Sequence, residues 1–247
     1  MRLPYFLLLA VAWVALPVAH LPAQSKKVLH DTEEGVRYLN QFQLHHRWTL
    51  QSDVGFRWRT GLRELSQHMV RTAGVFRISP LLRAAAGYAY AGRYDDGKVR
   101  VVEHRPFQEA SIGHQLWGIP LSHRLRIEER FFRFRATNSP VTSAFFFRPR
   151  YALRLRILQL SLSRTHPNRR LSLTVGDEVL LQMGGGNDYG AQLRNRILLS
   201  PSLELNDRFA LSLSYTQQSA PTDTPGVFRR SELLWLVVRH RVGTEGS

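Results

Sequence analysis

Between Phe147 and Ile157 the chain alternates strictly. Phe147, Pro149, Tyr151, Leu153, Leu155 and Ile157 fall on one side of an extended backbone; Arg148, Arg150, Ala152, Arg154 and Arg156 fall on the other. Successive side chains of a β-strand point to opposite faces, so this segment needs two different surroundings, one apolar and one suited to guanidinium groups. Residues 121–131 repeat the arrangement. Leu121, His123, Leu125, Ile127, Glu129 and Phe131 oppose Ser122, Arg124, Arg126, Glu128 and Arg130, with Glu129 the one acid on the apolar side, placed near a rim. A soluble sandwich or small soluble barrel fills its core with the apolar face and turns the polar face to water. A barrel in a bilayer does the reverse, with an apolar band outside and a polar interior.

Segments of this kind recur near 36–46, 49–59, 69–78, 81–91, 107–117, 121–133, 145–158, 170–183, 192–200, 208–217 and 228–242. Most exceed the roughly 5–6 residues usual for soluble strands and reach the roughly 9–11 that a tilted strand needs to cross a bilayer. Short connections at 46–48, 78–80 and 118–120 alternate with longer polar ones at 60–68, 92–106 and 134–144, the pattern of periplasmic turns and outer loops. Trp48, Trp58, Tyr88, Tyr90, Trp117, Phe145, Phe146 and Tyr215 collect toward strand ends, where amphipathic rings suit a membrane interface. The expected fold is therefore all-β, a transmembrane antiparallel up-and-down β-barrel. Bacterial single-chain barrels have even strand numbers. Twelve strands is the expected count, with the polar lead-in at 24–35 supplying the last, and ten is the alternative if two weak segments merge. Residues 24–247 form one barrel domain ending in a frayed tail from Gly243 to Ser247.

The N-terminus sets the compartment. Arg2 precedes an apolar stretch from Phe6 to Ala19, and Leu21-Pro22-Ala23 offers a small residue at a cleavage point, so residues 1–23 read as a signal peptide. Pro17 interrupts the stretch, which falls short of the roughly 18–20 residues of a membrane helix. Later in the chain the longest uninterrupted apolar run is Leu233 to Val238, which excludes a helical membrane protein. The expected location is the bacterial outer membrane. The net charge of +15 would suit nucleic acid, since all but Lys26, Lys27 and Lys98 of 34 basic residues are arginines. An exported protein seldom meets that partner. Expected partners are outer-membrane lipids and lipopolysaccharide and the barrel-assembly machinery, with the barrel itself a monomer and no cofactor. The lack of cysteine excludes disulfides, thiol catalysis and cysteine-ligated metals.

The order of motifs along the chain carries a resemblance. It runs HHRWTLQSDVGFRWR, AAAGYAY, a polar stretch and HRPFQE, then SHRLRIEERF, RPRYALRLRI, GDEVLL and RNRILLSPSLEL. The chain resembles an uncharacterised family of bacterial outer-membrane β-barrels of about this length, a domain of unknown function commonest in Bacteroidetes-type bacteria. HRLRIEERF at 123–131 is the most specific piece, supported by GDEVLL and the Asn195-Arg196 pair. Many outer-membrane barrels end on an aromatic residue, whereas this chain ends VGTEGS. The resemblance implies architecture and place, and no reaction.

With polar faces inward, Arg124, Arg126, Arg130, Arg148, Arg150, Arg154, Arg156, Arg194 and Arg196 line the lumen, with Glu128 and Glu178 as the acids among them. Two readings follow. Arginine and glutamate can staple neighbouring strands and fill the interior, or the surplus guanidinium groups can form an anion path, since each offers donors in a fixed fork and keeps its charge. No catalytic residue and no metal site is expected. Ser122 and His123, and likewise His45 and His46, are adjacent and so face opposite ways. His114 is the one histidine given a lumen or rim position, and no histidine has another two residues on. Gly184 to Gly190 lacks the ending of a phosphate-binding loop and reads as an outer loop. Asp95, Asp96, Lys98 and Glu103, within Gly92 to Arg105, are candidates for calcium or lipopolysaccharide contact, with a solvated loop as the plainer reading.

Overall fold

The computed structural model describes residues 27–135, 141–185, 191–222, 224 and 226–243. The expected signal peptide, most of the Gly184 to Gly190 segment and most of the frayed tail lie outside them. Among the described residues eleven strands follow in order: β1 (Lys27–His45), β2 (Trp48–Arg59), β3 (Glu64–Arg77), β4 (Leu82–Asp95), β5 (Lys98–Leu116), β6 (Ile119–Phe134), β7 (Thr142–Ser161), β8 (Arg170–Gly184), β9 (Gln192–Glu204), β10 (Phe209–Pro221) and β11 (Val227–Val242). Each pairs antiparallel with its chain neighbours, and β1 closes the barrel against β11. The all-β barrel expectation holds.

The strand number differs from twelve. The lead-in extends β1 back to Lys27 rather than forming a strand of its own. With an odd number, the first and last strands run the same way, and β1 and β11 pair in parallel from Lys27↔Val227 to Phe42↔Val242. Lys27 and Val242 consequently sit at opposite ends. We call the end holding connections 60–63, 96–97, 135–141, 185–191 and 222–226 the upper rim, and the opposite end the lower rim.

Two of the long connections expected from sequence are absent. Segment 92–106 is mostly strand, and β4 passes to β5 through Asp96-Gly97, with φ of 52° and 67°. An Asp-Gly pair with both residues left-handed is the tight hairpin turn whose twist matches its strands. Glu103 is thereby drawn inside, 1% exposed and ion-paired, and cannot join Asp95 and Asp96 in a loop site. Segment 60–68 shrinks to 60–63 in the same way, while the lower connection 162–169 is a long one.

The two faces sort as the alternation requires. Outward Leu125, Phe131 and Tyr151 are 53%, 47% and 46% exposed, whereas inward Arg126, Arg130 and Arg150 are 7%, 4% and 8%. Glu129 faces outward opposite Phe147 on β7. Four histidines also go outward, where they bond tyrosines: His68 with Tyr94 (3.0 Å), His123 with Tyr151 (2.7 Å), His240 with Tyr38 (2.7 Å), and His104 with Tyr88. His114 stacks on His123, with centroids 5.2 Å apart, so of its expected lumen or rim position the lumen is corrected to the outer face, two residues from the lower-rim end of β5.

Glycines make room for inward aromatics. Trp235 lies directly across the parallel seam from Gly35, where a Cβ would come within 2.5 Å of the indole; a Cβ at Gly55 on β2 would meet it at 3.4 Å. One ring thus spans β11, β1 and β2. Phe107 sits the same way over Gly87, where a Cβ would meet it at 2.6 Å, and Arg126 stacks on its other side at 4.4 Å. Small residues let the rings lie flat against the wall and leave the centre of the lumen open.

Candidate functional site

Inside the barrel, buried or half-buried carboxylates on four strands each gather arginines from nearby positions. Glu103 (β5) accepts from Arg130 Nε (2.6 Å) and Arg105 Nε (2.7 Å), while Arg130 Nη1 reaches Gln182 on β8 at 2.7 Å. Glu128 (β6), fully enclosed, accepts from Arg148 Nε (2.7 Å) and Arg150 Nη1 (2.6 Å). Glu178 (β8) takes Arg124 Nη2 (2.6 Å), Arg150 Nη2 (2.7 Å) and Arg196 Nη1 (3.2 Å). Arg126 bonds Glu109 at 2.7 Å, and Asp53 (β2) holds Arg71 at 2.6 Å. Most of these bonds run along the wall between strands one or two apart. Charge-assisted pairs of this kind are the strong hydrogen bonds of proteins, and here they fix the register of β5 through β9.

The other side of the lumen is different. Inward residues of β9, β10 and β11 include Ser200, Ser202, Ser212, Ser214, Thr216 and Ser231. Between the arginine wall and this hydroxyl wall lies a cavity of about 1070 Å³. Among the described residues, sixteen arginines and five acids line it. The carboxylates of Asp53, Glu103, Glu109 and Glu128 lie beneath arginines and offset part of that charge, yet cations remain in excess. Arg37 Nε, Arg124 Nε and Arg196 Nε are buried donors without a hydrogen-bond partner among the described residues. A buried donor left unpaired costs free energy, and an oxyanion supplies the acceptor it lacks.

The cavity lining begins at the upper rim with Thr60, Gln192, Thr222 and Arg229 and descends to Leu39, Ser202, Ser212 and Arg239.

Of the residues expected to line the lumen, Arg124, Arg126, Arg130, Arg148, Arg150, Arg154, Glu178, Arg194 and Arg196 do. Glu128 points inward but is sealed under Arg148 and Arg150. Arg156 is outside the cavity lining: a bulge after it shifts the β7 register, and it bonds Gln159 at 3.0 Å toward the lower rim. The sequence reading omitted Arg37, Arg57, Arg71, Arg105 and Arg239, and the acids Glu33, Asp53, Glu103 and Glu109. Each keeps the parity of a polar face, Arg37 between Val36 and Tyr38 and Arg57 between Phe56 and Trp58, so period 2 applied to the outer strands finds them.

A family model described as protein of unknown function (DUF2490) matches residues 36–229. No curated protein matches the chain, and no solved structure does.

Proposed function

Since the chain belongs to the DUF2490 family, whose description carries no activity, we propose a role from the lumen itself: an outer-membrane barrel that admits small anions and acts as a small anion-preferring channel. The observation that supports this most is the excess of arginine over acid in a cavity open at the upper rim. A ring of fixed cations raises the local anion concentration and selects by charge. The membrane placement is supported by the outward face. Leu125, Ile197 and Leu193 are 53%, 54% and 61% exposed in the isolated barrel, an apolar surface that suits lipid.

Leu125→Arg tests the placement. In a bilayer the charge at that position costs about 2–4 kcal/mol near the midplane; on a water-facing surface the same change falls within about 0.5 kcal/mol. Urea unfolding midpoints in lipid vesicles decide between the two, and an unchanged midpoint rejects the membrane reading. Sidedness has its own check. An epitope inserted in 185–191 is expected to bind antibody on intact cells, and one fused after Val242 only on permeabilised cells; the opposite result inverts the barrel.

Planar-bilayer recording tests the channel. Under a potassium chloride gradient the wild type is expected to reverse on the anion-selective side, and Arg154→Gln to move the reversal potential toward zero without loss of insertion. A silent wild type rejects the channel. It would favour the second reading, a plugged barrel whose arginines and acids staple the wall, for which the observation is that Glu103 and Glu128 are sealed by ion pairs to Arg130, Arg148 and Arg150.

A further inference from the structure

We infer that the barrel wall has a side passage between β9 and β10, through which the acyl chain of a single-chain amphiphile with an oxyanion head reaches the arginine cavity. The passage begins with a proline. A closed barrel has no edge strand, so a mid-strand proline, having no N–H, must leave a break in one ladder. The β9–β10 register runs from Ala210↔Glu204 to Ser212↔Ser202 and resumes only at Tyr215↔Leu199, with Pro201 in the gap.

Two other prolines make similar breaks, and comparing them singles this one out. The β5–β6 register skips from His104↔Phe131 to Phe107↔Glu128 beside Pro106, and the β7–β8 register from Phe147↔Met183 to Arg150↔Leu180 beside Pro149. Behind Pro106 the Arg130–Glu103 pair (2.6 Å) closes the inside, and behind Pro149 the Arg148–Glu128 pair does. Behind Pro201 there are hydroxyls. Ser202 and Ser212 bond one another at 2.8 Å, and no charge holds β9 to β10 there.

The outer surface is hollowed at the same place. A cavity of about 230 Å³ lies among Pro201, Leu203, Leu211, Leu213 and Leu236, with Ser202 and Ser212 at its floor, and those two serines also line the inner cavity. Only that floor separates an apolar hollow facing lipid from the cationic lumen. On the inner side, Arg154 and Arg239 line the cavity, and no carboxylate among the described residues comes within ion-pair distance of either. An oxyanion head therefore finds unpaired forked donors inside while its chain threads the gap beside Pro201, its far end in the leucine hollow and continuous with the bilayer. The passage rests on the membrane placement proposed above and is independent of ion conduction.

The chain has no cysteine, so a double variant Ser202→Cys/Ser212→Cys gives a clean lock: side chains that approach to 2.8 Å across paired strands suit a disulfide. The full barrel in phosphatidylcholine vesicles is exposed to hexadecyl phosphate carrying a mid-chain diazirine, irradiated, and mapped by mass spectrometry. Inward Ser200 and Ser214 are expected to be labelled in the wild type and in the reduced variant. Oxidation is expected to abolish that label, leaving outward Leu213 labelled, and reduction to restore it. The uncharged hexadecanol analogue is expected to label outward positions only. A hexadecanoate analogue that labels Ser200 and Ser214 as well supports any oxyanion head; phosphate alone narrows it. Inward label that persists after oxidation, or is missing from the wild type while Leu213 is labelled, overturns the passage. If the double variant does not fold, Pro201→Val, which returns an N–H to the ladder, is expected to reduce the inward label several-fold. Chloride conductance is recorded on the oxidised barrel too: conduction without inward label rejects the passage alone, and inward label without conduction rejects the channel alone.

Discussion

Glu128→Ala is expected to cost about 3–5 kcal/mol and to leave much of the protein unfolded in detergent, because removing one partner strands the buried charges of the others. Glu128 is 0% exposed and accepts from both Arg148 and Arg150, which are themselves almost enclosed. Without it, Arg148 loses its ion-pair partner and Arg150 keeps only Glu178. Glu128→Gln retains an acceptor and the volume and is expected to fall between alanine and wild type. Replacing the pair together, Glu128→Leu with Arg148→Met, is expected to recover most of the loss, since an apolar pair of similar size avoids both stranded charges. Urea midpoints of the detergent-folded barrel compare the three variants with the wild type. A Glu128→Ala midpoint equal to wild type would mean the arginines find water instead, and that the network does not brace the wall.

Trp235→Ala is the second large effect, about 3–5 kcal/mol by the usual cost of emptying a buried tryptophan site. Its ring lies over Gly35 and Gly55 and under the Arg37 guanidinium, 4.3 Å from the ring centre. It is thus a buried side-chain tie across the parallel β1–β11 seam, alongside the Arg229–Asp31 ion pair and the Tyr38–His240 hydrogen bond. Gly35→Val is destabilising for the complementary reason: its Cβ would lie 2.5 Å from the ring, and overpacking of this kind costs about 1–3 kcal/mol. The two changes are expected to be non-additive, Gly35→Val costing far less once Trp235 is alanine. Additive midpoint shifts would show that the ring does not occupy the space above Gly35, and would bring the β1–β11 closure into question.

These two sites differ in how far they could be seen in the sequence. Glu128 lies in the segment with the strictest alternation, and its inward direction follows from its neighbours Ile127 and Glu129 sitting on the other face. That Arg148 and Arg150 would be its partners does not follow. Pairing depends on the stagger of β6 against β7, which sets Glu128 opposite Arg148, and stagger is settled by closure of the whole ring. Gly35 gave no such signal. It looked like part of a polar lead-in, because its role depends on a tryptophan two hundred residues away. The Asp96-Gly97 turn was legible in principle from its two residues, but the charged residues around it suggested a loop.

What the sequence by itself determined is the side of each residue. The pleat sends neighbours to opposite faces whatever the strand pairs with, so an Arg-rich inside and a leucine-rich outside follow from alternation alone. Only the tertiary structure decided the ring: eleven strands, a parallel seam joining β1 to β11, and a register that gathers arginines around Glu103, Glu128 and Glu178. It also decided where the wall is weak. Pro106, Pro149 and Pro201 each lack the same N–H, and what distinguishes Pro201 is that serines rather than ion pairs stand behind it. Such a difference cannot be read along one strand, because the residue that seals a gap belongs to its neighbour, and neighbours are assigned by closing the barrel.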